Sequence, residues 1–438
     1  MKLLNIIITC LLLLFVQPDS AASQITDKPE YGNFAITNVT IHTVSNGLIE
    51  NGVVLIENDK IAFVGKNVKI SDDYRVIDAT DKHIYPGFID SRTYLGLREI
   101  SAIPVTIDHR EVGSFNPEMT AFTAINPHSA AIPVARVEGV TNVISLPASG
   151  RISGKATLLD LWGYTPDSMA VQKISALQLN WPSVMGFGRF DSRSEKEIKE
   201  QYEKDLKELN EFWSKSETYH RMMTEFNLDP ANKKQPDKNQ KLDAMRDVLN
   251  GEIPVILSVD REKDILNALK WIQEKERLRF VLSGVSEGWR VAEEIADAGV
   301  PVIVSTLYTP RRPYDNYQRP YQNPGLLAEA GVKVIFGTGE TENVRNVVYN
   351  AGFATAYGMD RIEAFKGLTL YAAEVWGVDD RLGSIEEGKQ ANLFIADGDP
   401  FEPGTQIEHV FIKGLKIPMI SRHTQLYEEF LDRDAVNR

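Results

Sequence analysis

The chain is poor in the groups that most often do chemistry. It has a single cysteine, Cys10, among 438 residues, and that cysteine sits in an apolar leader. Once the leader is removed no thiol remains, which excludes disulfides and a cysteine nucleophile. Histidine is also scarce: the seven lie at positions 42, 83, 109, 128, 220, 409 and 423, and no two are spaced to chelate a metal from one strand or one helix face. Lys and Arg number 48 against 61 Asp and Glu, for a net charge of −13. Binding along a phosphate backbone needs clustered cations, so nucleic acid is excluded as a partner. No apolar run reaches the roughly 20 residues that cross a bilayer as a helix, so no stable membrane anchor is expected. Internal repeats and low-complexity tracts are absent as well.

What is present begins with a leader. Lys2 precedes an apolar run from Leu3 to Val16, broken by Asn5 and Thr9, and Ser20-Ala21-Ala22-Ser23 supplies the small residues that signal peptidase accepts. Residues 1–22 therefore read as a secretory signal, with a periplasmic destination. Their removal takes away Lys2 and Asp19, so the acidity belongs to the mature protein. A hydrophobic fraction of 43% and a charged fraction of 25% are those of a globular chain. The length suits a barrel with a smaller added domain.

Hydrophobic patterning divides the chain. From Phe34 to Val44 and from Gly52 to Gly65 short β-branched runs alternate with turns such as Asn58-Asp59. Strands recur near the other end, at Asn392–Ile395 and His409–Ile412, separated by the turn Asp397-Gly398-Asp399-Pro400. A lone hairpin is unstable, so residues 31–86 and 383–420 are expected to combine into one small β-sandwich. Between them, apolar runs at Val140–Leu146, Pro254–Leu257, Phe280–Leu282, Val300–Ser305 and Val332–Phe336 read as strands buried on both faces. Several are followed by amphipathic helices, as at Lys263–Glu276 and Gly288–Ala298. This alternation predicts an α/β fold, a (β/α)₈ barrel over residues 87–382. Residues 194–250 interrupt it with a charged insertion in which Ile198, Tyr202, Leu206, Leu209 and Trp213 fall on one helical stripe, predicting a helix laid on the barrel.

Val76-Ile77-Asp78-Ala79 and Ile84-Tyr85-Pro86-Gly87-Phe88-Ile89-Asp90, followed by Gly139–Val143, Leu368–Ala373 and Gly383-Ser384-Ile385-Glu386-Glu387-Gly388-Lys389-Gln390-Ala391-Asn392-Leu393, resemble the amidohydrolase superfamily. The imidazolonepropionase-like branch is the nearest in pattern, and the resemblance covers nearly all of the mature chain. It implies a barrel with a divalent metal, usually zinc, at its C-terminal mouth, and hydrolysis of non-peptide C–N bonds by metal-activated water. The resemblance also implies a ligand set: His-x-His after Pro-Gly-Phe-Ile-Asp, one histidine from each of strands five and six, and an aspartate from strand eight. The matching positions are Arg92 and Tyr94, Ser258, Ser283 and Gly339, so every expected ligand is replaced.

A guanidinium at position 92 puts a fixed positive charge where the ion belongs. Asp90 and Asp260 are the nearest carboxylates in sequence to pair with it. A displaced metal site could draw on Glu340, Glu342, Asp260 and His128, although in a strand Glu340 faces away from Gly339. His109 and His128 follow the first barrel strand and could face the mouth. The loop Tyr308–Tyr321 interleaves Arg311, Arg312 and Arg319 with Tyr314, Tyr317 and Tyr321, which suits either a lid over a polar or anionic ligand or a loop packed on its own tyrosines. Ser258 and Ser283 have no histidine base recognisable in the sequence, so a serine nucleophile is not expected. Candidate ligand-binding residues are Arg92, Tyr94, Asp260, Arg311, Arg312 and Glu340; no catalytic residue and no metal or cofactor is assigned. The expected function is a catalytically silent binding protein, or a subunit of a homo-oligomer or of an active amidohydrolase paralogue. The alternatives are an active hydrolase with a non-standard metal site and a scaffold without a ligand.

Overall fold

A computed structural model describes residues 28–185, 192–275, 277–309 and 315–436. Residues 1–22, read from the sequence as a signal, and Arg311, Arg312 and Tyr314 lie outside the described residues.

Both chain ends build one eight-stranded sheet. Strands β1 (Asn33–His42), β2 (Leu48–Glu57), β3 (Lys60–Gly65), β4 (Tyr74–Asp78) and β5 (His83–Pro86) join β14 (Leu393–Ala396), β15 (Ile407–Ile412) and β16 (Leu415–Ile417) in the order β16-β15-β14-β5-β1-β2-β3. The long β1 branches this sheet: its first half pairs in parallel with β4 and its end with β5. Phe34, Ile36, Val54, Ile56, Leu393, Ile395 and Phe411 form its apolar core, the inward half of the alternation legible in the sequence.

The second sheet is the barrel, ordered β13-β12-β11-β10-β9-β8-β7-β6. Its strands are β6 (Phe88–Thr93), β7 (Val140–Ser145), β8 (Ile152–Asp160), β9 (Ala170–Asn180), β10 (Val255–Val259), β11 (Phe280–Gly284), β12 (Val302–Val304) and β13 (Val334–Phe336). A parallel bridge between Thr93 and Glu340 closes β13 onto β6. Every strand contributes to one lumen cluster, through Ile89, Ile144, Ala156, Ala176, Ile256, Val281, Ile303 and Ile335. The lumen is thus a packed core, as expected for a barrel of eight strands.

The expected parallel alternation holds at β6–β7 and from β9 to β13. It fails at β8, which runs antiparallel to both β7 and β9. The cause is chain length: residues 146–151 are too few for a helical crossover, and only a tight reversal fits. The charged insertion is a helix at Glu195–Leu228, opened by a capping box between Ser194 and Glu197. Leu209, Trp213, Ser216 and Tyr219 are its buried face, and Trp213 meets Trp271 edge-on at 4.9 Å. No helix among the described residues is long and apolar enough to cross a membrane.

Barrel and composite sheet are tied by a buried polar knot. Asp160 at the end of β8 is fully buried, and its Oδ1 accepts from Asn142 Nδ2 at 2.9 Å, Gln390 Nε2 at 3.1 Å and Asn392 Nδ2 at 2.7 Å. Lys413 Nζ lies 3.0 Å from Oδ2.

Candidate functional site at the barrel mouth

Strand alternation decides what faces the mouth. Because Ala176, Ile256 and Val281 are lumen residues, residues two further along point the same way. They are Gln178, Ser258 and Ser283. Ser258 is in register with Asn180 and Ser283, and Ser283 with Ile303. These residues line the upper lumen in one band. Gln178 Nε2 donates to Ser258 Oγ at 2.8 Å and to Asn180 Oδ1 at 3.1 Å. Ser283 and Gln178 are 1% and 3% exposed, yet Ser283 Oγ and Gln178 Oε1 have no hydrogen-bond partner.

Arg92 enters the same space from β6, and two glycines make room for it. A Cβ on Gly337 would fall 2.7 Å from Arg92 Cβ and 2.8 Å from Ile303 Cγ2, so that position tolerates no side chain and Arg92 leaves its strand beside the lumen residue Ile303. Gly339 has a left-handed φ of +67°, and a Cβ there would point at Arg92 Nε and Cζ, each 3.7 Å away. The guanidinium therefore occupies the reach of the side chain that position 339 would carry. Among the described residues it has no hydrogen-bonded or ion-paired partner.

The two carboxylates expected to pair with Arg92 do otherwise. Asp90 is fully buried; its Oδ1 accepts the backbone N–H of Arg92 at 3.1 Å and that of Thr338 at 3.0 Å, and its Oδ2 accepts Thr338 Oγ1 at 2.6 Å. It holds the β6–β13 seam, and burial pushes its pKa up to about 7 against those three hydrogen bonds and the nearby charge of Arg92. Asp260 is exposed beside Gly284 and makes no hydrogen bond or ion pair with Arg92. Glu340 is held by Arg98, 3.7 Å away, and its backbone carbonyl accepts the Tyr94 N–H at 2.9 Å.

Tyr94 packs on the lumen cluster and meets the His109 ring at a tilt of 32° with centroids 4.5 Å apart, while Arg98 lies over its ring at 5.4 Å. His109 is 3% exposed. Burial, and then the charges of Arg110 and Arg98, bring its pKa down to about 4, so it is a neutral packing residue at the mouth. The Tyr308–Tyr321 loop turns aside where it is described: Arg319 lies 4.4 Å over Trp289, Tyr321 stacks on Tyr357 at 4.9 Å, and Tyr308 accepts a hydrogen bond from Asn346. These contacts join the described part of the loop to Trp289, Tyr357 and Asn346 outside it.

The metal implied by the family does not fit this site. Hydroxyls, a tyrosine and a glycine stand where nitrogen and carboxylate donors are needed, with a guanidinium between them. Among the described residues no group of three or more His, Cys, Asp or Glu is placed to hold an ion, and Glu340, Glu342, Asp260 and His128 do not come together. Sequence reasoning passed over Gln178 and Asn180 because β9 was unread; the alternation Ala176-Leu177-Gln178-Leu179-Asn180 is the signal that marks them.

His109 also gives a pH prediction. Its folded pKa lies below its ordinary 6.5, so its contribution is complete above pH 6.5 and is lost as the pH falls toward 4. Asp90 runs the other way, its raised value costing stability as the pH climbs from 3.8 toward 7. The two overlap, so only a difference curve separates them. His109→Phe, which keeps the ring contact with Tyr94, should remove about 3 kcal/mol of destabilisation between pH 6.5 and 4. Chemical denaturation at stepped pH reads this; a constant gap between wild type and variant would show that His109 does not titrate there.

The comparisons with known proteins agree with this architecture. The model of the amidohydrolase family matches residues 122–417, and the chain belongs to that family. It is 30% identical over 125 residues to N-acetylglucosamine-6-phosphate deacetylase of Haemophilus influenzae, covering 28% of each chain. It is 32% identical over 74 residues to imidazolonepropionase of Streptomyces griseus, covering 17% of each. The chain thus spans less than a third of either relative's length. Among solved structures, an amidohydrolase from Thermotoga maritima superposes with a TM-score of 0.77 at 23% identity, over 88% of this chain and 99% of that one. Molinate hydrolase follows the same fold with a TM-score of 0.56 at 15% identity, over 89% and 96%.

Proposed function

We propose that this protein is an exported, periplasmic, catalytically silent member of the amidohydrolase family that binds a small polar or anionic molecule at the barrel mouth. The observation that carries the reading is Arg92, a lumen-facing guanidinium filling the reach of Gly339. Metal-assisted hydrolysis needs a cation that lowers the pKa of water to about 7. A guanidinium supplies charge but no open coordination position, so it can hold an anion without activating water. Acting alone or beside an active homologous subunit is compatible with such a site.

The test is the metal content of the purified mature protein by inductively coupled plasma mass spectrometry, before and after incubation with zinc, manganese and iron. The reading expects substoichiometric metal that chelators remove, and no turnover of cyclic amides or dipeptides. Tight stoichiometric metal with chelator-sensitive turnover would replace it with an active hydrolase.

A further inference from the structure

We propose that the barrel mouth is a receptor for a small carboxylate that also carries a neutral amide N–H, with Arg92 taking the carboxylate and Gln178 taking the N–H. This rests on the reading that no metal occupies the mouth, and goes beyond it in naming what does.

Two buried groups without a partner, Gln178 Oε1 and Ser283 Oγ, line the upper lumen together with the half-buried Arg92 guanidinium. The Arg92 guanidinium presents a fork of donors matched to the two oxygens of a carboxylate. Its own carboxylate neighbours are committed, Asp90 to three donors of the β6–β13 seam and Glu340 to Arg98. Across the lumen, Gln178 has already donated its amide hydrogens to Ser258 and Asn180, so its free Oε1 can only accept. Ser283 Oγ is equally unpartnered and can donate to a ligand oxygen. An unmet buried polar group costs about 1–3 kcal/mol, and a single ligand that satisfies both relieves both costs at once. The free acceptor demands a hydrogen on the ligand. An ammonium would bring a second positive charge beside Arg92 with no free carboxylate to meet it, whereas an amide N–H is neutral and far cheaper to desolvate. A phosphate would satisfy Arg92 but turn oxygen lone pairs toward Gln178 Oε1.

Isothermal titration calorimetry of the full mature protein separates these features with four probes. N-acetylglycine carries both groups, N-acetylglycinamide loses the carboxylate charge, N-acetylsarcosine loses the N–H, and inorganic phosphate offers an anion alone. N-acetylglycine should bind saturably and the other three at least tenfold more weakly, about 1.4 kcal/mol or more. Arg92→Met should abolish the preference for acid over amide, and Gln178→Leu the preference for N–H over N-methyl. Equal binding of acid and amide, equal binding of phosphate, or no saturable binding of N-acetylglycine overturns the proposal. The wild-type comparison alone decides if either variant fails to fold. Release of acetate from N-acetylglycine would instead overturn catalytic silence, so the two failures are distinct.

Discussion

Replacing Asp160 with alanine should lower the stability of the folded protein by about 3–5 kcal/mol, the loss seen when one member of a buried charged network is removed. The reason lies in what is left behind. Asn142, Gln390 and Asn392 all donate to one oxygen of Asp160, and Lys413 stands 3.0 Å from the other. These residues come from β7, from the segment before β14 and from the turn after β15. Alanine would take one acceptor from each of three amides, which keep only their bonds to Leu159, Asn392 and Asn142, and would open a void at the seam between barrel and composite sheet. Against a total stability of about 5–15 kcal/mol, such a loss should unfold the composite sheet from the barrel well before the barrel itself. Asp160→Asn keeps Oδ1 and should cost roughly 1–2 kcal/mol, the value of one charge-assisted contact. Urea unfolding followed by tryptophan fluorescence and by far-ultraviolet circular dichroism tests this. Coincident transitions with Asp160→Ala within about 1 kcal/mol of wild type would show that the knot contributes little.

The fold was legible where the physics is local. β10, β11, β12 and β13 are buried on both faces, so their runs of Val, Ile and Leu stand out from the sequence, and the same holds for the helical stripe Leu206, Leu209, Trp213. The antiparallel β8 was hidden because its nine buried positions include Ser153, Lys155, Thr157 and Asp160. Their partners come from elsewhere in the chain, Asp247 for Lys155 and Gln390, Asn392 and Lys413 for Asp160. A polar residue satisfied from a distance looks like a surface residue in sequence. The site divided the same way. The expectation of a replaced ligand set rests on residues 92, 94, 258, 283 and 339, whose places in the sequence the family resemblance implies. The partner of Arg92 could not, since proximity in sequence to Asp90 gave a backbone hydrogen bond and not an ion pair.

Gly339→Asp should abolish N-acetylglycine binding, by a hundredfold or more, while leaving the fold intact. Position 339 is left-handed at φ +67°, a conformation Asp adopts more readily than most residues and at a cost of about 1 kcal/mol. A Cβ there meets nothing closer than Arg92 Nε and Cζ at 3.7 Å, so the new carboxylate should close onto the guanidinium and offset that cost. An internal carboxylate held at high effective concentration outcompetes one from solution. Gly339→Asn, with the same shape and no charge, should weaken binding about tenfold less severely. If Gly339→Asp binds N-acetylglycine as wild type does, Arg92 is not the receptor. The same variant tests whether one added carboxylate is enough to bring a metal back. A divalent ion about 4 Å from a guanidinium meets a repulsion of roughly 8 kcal/mol at an effective dielectric constant near 20, more than one added carboxylate returns after pairing with Arg92. Zinc should therefore stay unbound in Gly339→Asp and be retained only when Arg92, Tyr94, Ser258 and Ser283 are changed to His alongside it. Equilibrium dialysis against zinc reads both proteins, and uptake by the single variant would mean that the guanidinium is not what keeps the ion out.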